Sequence, residues 1–108
     1  GLVGSEMCIR DSCNARYLNF SMSKINQAEF TTCDLRNSDF NDCKLTSIAF
    51  TNCELVEAEF SHTPLRGIDL SDSHIEGIHV NLPDIRGAIV STHQAMDLTS
   101  LLGLVIKD

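Results

Sequence analysis

The sequence predicts an all-β solenoid, a chain wound into stacked coils of four five-residue sides and closed at its C-terminal end by a short helix. Three observations carry that reading. Every fifth residue from Phe20 to Val90 is Phe, Leu, Ile or Val, without a break. Two residues before most of them stands a second, generally smaller residue, among them Ala28, Cys33, Ser38, Cys43, Cys53, Ala58, Thr63 and Ser73. The pattern then stops at Val90, where helix signals begin. A period of five matches neither the 3.6 of an α-helix nor the 2 of a flat strand. The chain must therefore turn a corner every five residues and point two side chains per side inward.

The first segment, Gly1 to Ser12, lacks the fivefold register. Its core, Ser5 to Asp11, resembles translated sequencing-adapter sequence, so residues 1–12 are set apart as a non-native or disordered segment. On this reading the chain is the C-terminal part of a longer protein whose further coils precede Cys13.

Residues 13–90 form the solenoid. Four sides of five make a twenty-residue coil, and successive coils pair at strand spacing, about 4.8 Å. Residues twenty apart then stack directly: Phe20, Phe40 and Phe60 in one column, Phe30 and Phe50 in another on the opposite side. With Leu35, Leu45, Leu55, Leu65 and Leu70 they form the expected core. No coil can bury its interior alone, so stability comes from stacking on neighbours. Where the central residue shrinks, its inward neighbour grows: Phe60 has Ala58, but Leu70 has Ile68 and Val80 has Ile78. This holds the volume per side near constant, as close packing demands. Phe50 with Ile48 breaks the trend and predicts a local bulge or shift. Gly67, Gly77 and Gly87 each take the last place of a unit, which predicts that corner geometry changes type near the last coil.

Residues 91–108 read as a capping or dimerisation helix and tail. Ser91 with Gln94 three residues later is a capping-box pattern, and Gly103 supplies the stop. Met96, Leu98, Leu101, Leu102 and Leu104 make an apolar face that must cover the last coil or meet a second chain, and a homodimer is the expectation.

Units such as Cys33-Asp34-Leu35-Arg36-Asn37, Cys53-Glu54-Leu55-Val56-Glu57 and Ala58-Glu59-Phe60-Ser61-His62 resemble the repeating unit of pentapeptide repeat proteins. The likeness covers about two-thirds of the chain in fifteen in-phase units. It implies a right-handed quadrilateral β-helix. The alternation of Phe with Leu or Ile, the cysteines at ten-residue intervals and the ending Pro83-Asp84-Ile85-Arg86-Gly87 are similar to the quinolone-resistance branch of that family. That branch binds DNA gyrase and topoisomerase IV as a DNA mimic, and its C-terminal helix joins two prisms end to end.

Composition and charge limit the function classes. No stretch reaches the 18 apolar residues of a membrane helix, and no signal peptide is visible, so a cytoplasmic location is expected. Cys33, Cys43 and Cys53 fall at the small inward position and read as reduced packing residues rather than disulfides or metal ligands. His62, His74, His79 and His93 form no ligand-spaced cluster and read as lone surface residues. With no phosphate loop and a filled interior, neither catalysis nor a cofactor is expected.

Within residues 18–90, eleven acidic residues face five basic ones. The Leu35/Leu55/Ile75 face carries Asp34, Glu54, Glu57 and Glu76, and the adjoining Phe40/Phe60 face carries Asp39, Asp42 and Glu59. Lys24, Lys44, Arg66 and Arg86 share another face. Such a field repels nucleic acid over most of the surface and attracts a basic protein groove. The seven acids are the candidate partner-binding surface, and protein–protein binding is the expected activity. The alternative is a repeat scaffold, or a fragment of one, with a different partner.

Overall fold

The computed structural model describes residues 13–108, so the reading of Gly1 to Ser12 lies outside the described residues. The chain forms a β-helix solenoid. Parallel bridges join residues twenty apart along its length: Asn14 to Asp34, Asp34 to Glu54 and Glu54 to His74 in one column, Asn19 to Asp39, Asp39 to Glu59 and Glu59 to His79 in the next. The longest paired run is β1 (Lys24–Thr31) against β2 (Lys44–Thr51), parallel and in the same register, Ile25 on Leu45 and Phe30 on Phe50. The described body is elongated, with extents of 45 × 24 × 23 Å.

The interior is the predicted one, with one exception. Phe20 and Phe40 stack at 4.7 Å between ring centroids, and Phe40 and Phe60 at 5.0 Å. Phe30 and Phe50 stack at 5.2 Å, and the two columns meet edge to face at 6.1–6.3 Å. Offset stacking along a column and T-shaped contact across it are the two arrangements that ring quadrupoles favour. Leu35, Leu55, Leu65 and Leu70 are fully buried around them. The register also extends upstream, because Ala15 is buried at a central position where the larger residues of later coils sit.

Leu45 is the exception, packed against the core but only partly buried. The cause is a parting between β2 and the next coil. Asp34, Lys44, Glu54 and His74 each donate a backbone N–H to the carbonyl twenty-one residues earlier. Pro64 has no N–H to donate. Ile48 and Ile68, both large, also occupy consecutive heights at a position built for small residues. Among the described residues no backbone hydrogen bond or bridge joins 44–51 to 64–71. The shift expected at Ile48 therefore falls on the later side of β2, while Ile48 remains paired with Ala28.

The corners keep one type as far as His62 and change beyond it, where the glycines predicted a change. Residues with positive φ recur at every fifth position from Tyr17 to His62: Tyr17, Met22, Gln27, Thr32, Asn37, Asp42, Ser47, Asn52, Glu57 and His62, all between 52° and 61°. Beyond His62, Gly67, Gly77 and Gly87 take φ of 73–84° and alternate with corners at Asp72 and Leu82 that have no positive φ. The glycines occupy positive φ without the Cβ strain that the ten other residues bear. Each such residue sits in a region that costs an L-residue roughly 1–2 kcal/mol, and the bonded coils on either side hold it there. Leu82 opens α1 (Leu82–Ile85), a single turn with Pro83 at its start that replaces an extended side of the last coil.

The small inward residues do more than leave room. The Cys43 thiol donates to the Phe20 carbonyl and the Cys53 thiol to the Phe30 carbonyl, each at 3.0 Å. One coil later the Thr63 hydroxyl donates to the Phe40 carbonyl and the Ser73 hydroxyl to that of Phe50. Cysteine, serine and threonine are interchangeable there because each is small and carries one donor. Burial pushes the Cys43 and Cys53 thiols up, and burial with the Cys33 thiol alongside pushes Cys13 up to about 12. All three stay protonated at neutral pH and are poor nucleophiles.

Phe40→Asp should unfold the solenoid, since it places an unpaired charge between two stacked rings at a cost of several kcal/mol, roughly the whole stability of a small domain. Asp39→Asn, one residue earlier and keeping the oxygen that accepts the Asn41 N–H, should shift stability by about 0.5 kcal/mol or less. Thermal melts that move equally for the two variants would refute the inward assignment of Phe40.

Candidate functional site: an acidic surface and an apolar end

The column register decides where each acid lies. Asp34 and Glu54 stack one above the other on the Leu35/Leu55/Ile75 side, as Asp39 and Glu59 do on the Phe40/Phe60 side. Glu57 and Asp42 are corner residues with positive φ, pushed outward by the turn. All seven predicted acids, Glu76 included, reach the surface of these two adjoining sides, as Arg16 does. The structure brings the predicted surface together.

It also gives most of these acids a partner within the chain. Arg36 grips Asp34 through two parallel bonds, Nε to Oδ1 at 2.9 Å and Nη2 to Oδ2 at 2.7 Å, and this holds the Asp34 carboxyl below the usual carboxylate range. Asp39 accepts the Asn41 N–H and fixes its own corner. Glu54 Oε1 lies 2.8 Å from His74 Nδ1, Glu57 Oε2 lies 3.0 Å from His79 Nε2, and Asp42 Oδ1 lies 3.6 Å from His62 Nδ1. The bond from Glu54 raises the pKa of His74, so that ring keeps its charge to higher pH than a free imidazole.

The reading of these histidines as isolated is thereby corrected for three of the four. Writing the sequence in rows of twenty would have shown it, since His74 falls under Glu54 and His62 under Asp42. The other basic residues of the coils lie elsewhere: Lys24 and Lys44 stack in register on the Ile25/Leu45 side, with Arg66 and Arg86 further along.

The C-terminal end forms as the capping pattern predicts. In α2 (Thr92–Leu98) the Ser91 hydroxyl accepts the Gln94 N–H while the Gln94 side chain accepts the Ser91 N–H. The helix passes into a 3₁₀ turn (Thr99–Leu102) and stops at Gly103, φ 69°. Gln94 has a second task that its capping role had hidden. It is buried, and its Nε2 donates to the carbonyls of Leu70 and Ser73, both at 2.6 Å. Those two carbonyls belong to the coil edge that no further coil covers.

Leu98 and Leu101 pack against the core, whereas Met96, Leu102 and Leu104 are more than half exposed. Of the five residues predicted to make an interface, two act as cap and three remain outward. Leu82, Ile85, Val90, Leu98, Leu101 and Leu102 line an apolar groove beside them.

With this geometry in view, the comparisons with known proteins are consistent with one another. A family model for the pentapeptide repeat region matches residues 6–60. The chain belongs to the pentapeptide repeat family. None of the curated proteins matches in sequence. Among solved structures, a pentapeptide repeat protein of the Arabidopsis thaliana thylakoid lumen is similar with a TM-score of 0.62 at 26% identity, over 74% of this chain and 56% of that one. QnrB1, a plasmid-mediated fluoroquinolone resistance protein, is similar in fold with a TM-score of 0.51 at 16% identity, over 89% of this chain and 66% of that one. The chain thus spans less than two-thirds of the length of either structure. Among the described residues no helix is long and apolar enough to cross a membrane.

Gln94→Ala should lower stability by about 2 kcal/mol, because it leaves the Ser73 carbonyl without its donor, leaves the Leu70 carbonyl with the Ser73 N–H alone and removes half of the capping box. His93→Ala, at the exposed neighbouring position, should change it by about 0.5 kcal/mol or less. Equal melting temperatures for Gln94→Ala and the unaltered protein would show that Gln94 does not hold the end.

Proposed function

We propose that this pentapeptide repeat protein acts by protein–protein binding, as a DNA mimic that occupies the duplex-binding groove of DNA gyrase or topoisomerase IV and protects the enzyme from fluoroquinolones. The observation that carries the reading is the seven carboxylates set at coil spacing over two adjoining sides, with Lys24, Lys44, Arg66 and Arg86 on another. A rigid rod with a cross-section of 24 × 23 Å and an acidic flank suits a channel lined with cations. The fold likeness to QnrB1 is compatible with it. The reading includes a right-handed, four-sided coil, a cytoplasmic location and no catalytic role.

A second reading is a repeat scaffold, or part of a longer one, with another partner. It is favoured by the pairing of Asp34, Glu54, Glu57 and Asp42 within the chain, since acids that tie side chains and coils together offer less field to a partner.

Reversing Glu57, Glu59 and Glu76 to Lys should abolish gyrase binding and the protection seen in a supercoiling assay with a fluoroquinolone. Reversing Lys24 and Lys44 to Glu should leave both within about twofold, because those residues lie off the acidic sides. Wild-type binding should also weaken as salt rises, exposed charges being screened beyond about 8 Å at physiological ionic strength. A protein that neither binds gyrase nor protects it leaves the scaffold reading in place.

The proposal includes a homodimer joined through the apolar end. Met96, Leu102 and Leu104 are exposed beside the groove, and a two-fold contact uses such a patch twice. Replacing Met96 and Leu102 by Lys should yield monomers in analytical ultracentrifugation with the circular dichroism unchanged. A wild-type protein that sediments as a monomer at high concentration would limit the segment to capping.

A further inference from the structure

We propose that His62, His74 and His79 make the acidic surface a pH-dependent one, strong for a cationic partner above neutrality and weakened on mild acidification. The inference rests on the reading of that surface as a binding site and concerns its regulation.

The geometry is specific. Each of the three rings meets a carboxylate of the preceding coil: His62 with Asp42, His74 with Glu54 and His79 with Glu57. All three stand on the two sides that carry the seven acids, while Lys24, Lys44, Arg66 and Arg86 stand on another. The rings remain open to solvent, with 72%, 67% and 56% of the side chain exposed, so protons reach them without unfolding.

Carboxylates surround the three rings, and the Glu54 bond favours uptake of a proton by His74. His74 faces Glu54 from the coil before and Glu76 from its own, and α2 beyond it carries His93 and Asp97. His79 faces Glu57 and is bridged through its backbone to Glu59, and α1 beyond it carries Asp84. His62 faces Asp42, with Glu59 in its own coil. On these two sides the cations of fixed charge are Arg16 and Arg36.

Imidazole is the side chain that ordinarily gains its charge between pH 8 and 5, a range in which Asp and Glu stay ionised. Above neutrality the two sides carry seven negative charges against two arginines. Three imidazolium ions would remove more than half of that net charge, each at the carboxylate a partner's cation would otherwise meet. The bond between imidazolium and carboxylate also strengthens on protonation, so the ring competes directly with the partner.

The test uses a fluorescent oligolysine at low salt, with the full chain and a His62→Asn/His74→Asn/His79→Asn variant. Exposed positions and the polar replacement keep the variant folded, which circular dichroism at both pH values checks. Unaltered protein should bind the probe roughly tenfold more weakly at pH 5.5 than at pH 8, and the triple variant should lose at least half of that dependence on a logarithmic scale. His93→Asn, on the capping helix, should keep it whole. A change below about twofold in the unaltered protein, or an undiminished change in the triple variant, would overturn the proposal. Because oligolysine is not a topoisomerase, the outcome is separate from the gyrase assay: loss of gyrase binding alone would remove the partner and leave the switch.

Discussion

The constraint on which everything else depends is the backbone ladder between residues twenty apart. It places each side chain directly over its counterpart in the next coil, so a single choice of residue is repeated as a column. Inside, that turns five phenylalanines into two stacks that interlock edge to face. At the corners it forces positive φ on residues as different as Tyr17, Thr32 and Glu57. No local preference explains that, since most L-residues avoid the region. The bonds above and below each corner impose it, and the cooperative stack supports a strain that a lone turn would relax.

Much of this was legible in the sequence, and the reason is physical. A period of five, held for fifteen units, leaves few backbones that can bury one residue in each. The Phe columns, the small inward residues, the capping box at Ser91 and Gln94 and the acidic flank all follow from position alone. What escaped were features that depend on contact between coils. Ala15 is too small to announce itself as a central residue, and only its height in the stack buries it. Pro64 was visible, but its effect requires knowing that its missing N–H would have bonded the carbonyl of Cys43, as the His74 N–H bonds that of Cys53. Two large residues at consecutive small positions, Ile48 and Ile68, widen the same seam and leave Leu45 half-buried.

The C-terminal end shows the same logic from outside. A solenoid edge carries a row of backbone groups with no further coil to meet them, and such an edge invites pairing with other chains. Here α2 is turned so that one buried glutamine supplies donors to Leu70 and Ser73 while its own helix start is closed by Ser91. The cap and the edge are thus tied through a single side chain. The leucines of that helix divide the remaining work, with Leu98 and Leu101 turned to the core and Leu102 away from it.

Columns also govern charge, and here the architecture sets a difficulty for itself. Like charges stacked at strand spacing repel, so an acidic column cannot be extended indefinitely without loss of stability. In the two acidic columns the sequence runs Asn14, Asp34, Glu54, His74 and Asn19, Asp39, Glu59, His79: a neutral residue, two acids, then an imidazole. The histidine ends the run at the height where a third acid would stack, and for Glu54 it does so within bonding distance. On the basic side Lys24 and Lys44 stack without such relief, and the next residue in that column is Pro64, where the ladder parts. The outward sequence is therefore not a free choice of polar residues. It is shaped by the repulsion that a twenty-residue register creates, and the titratable character of the acidic surface follows from the way that repulsion is relieved.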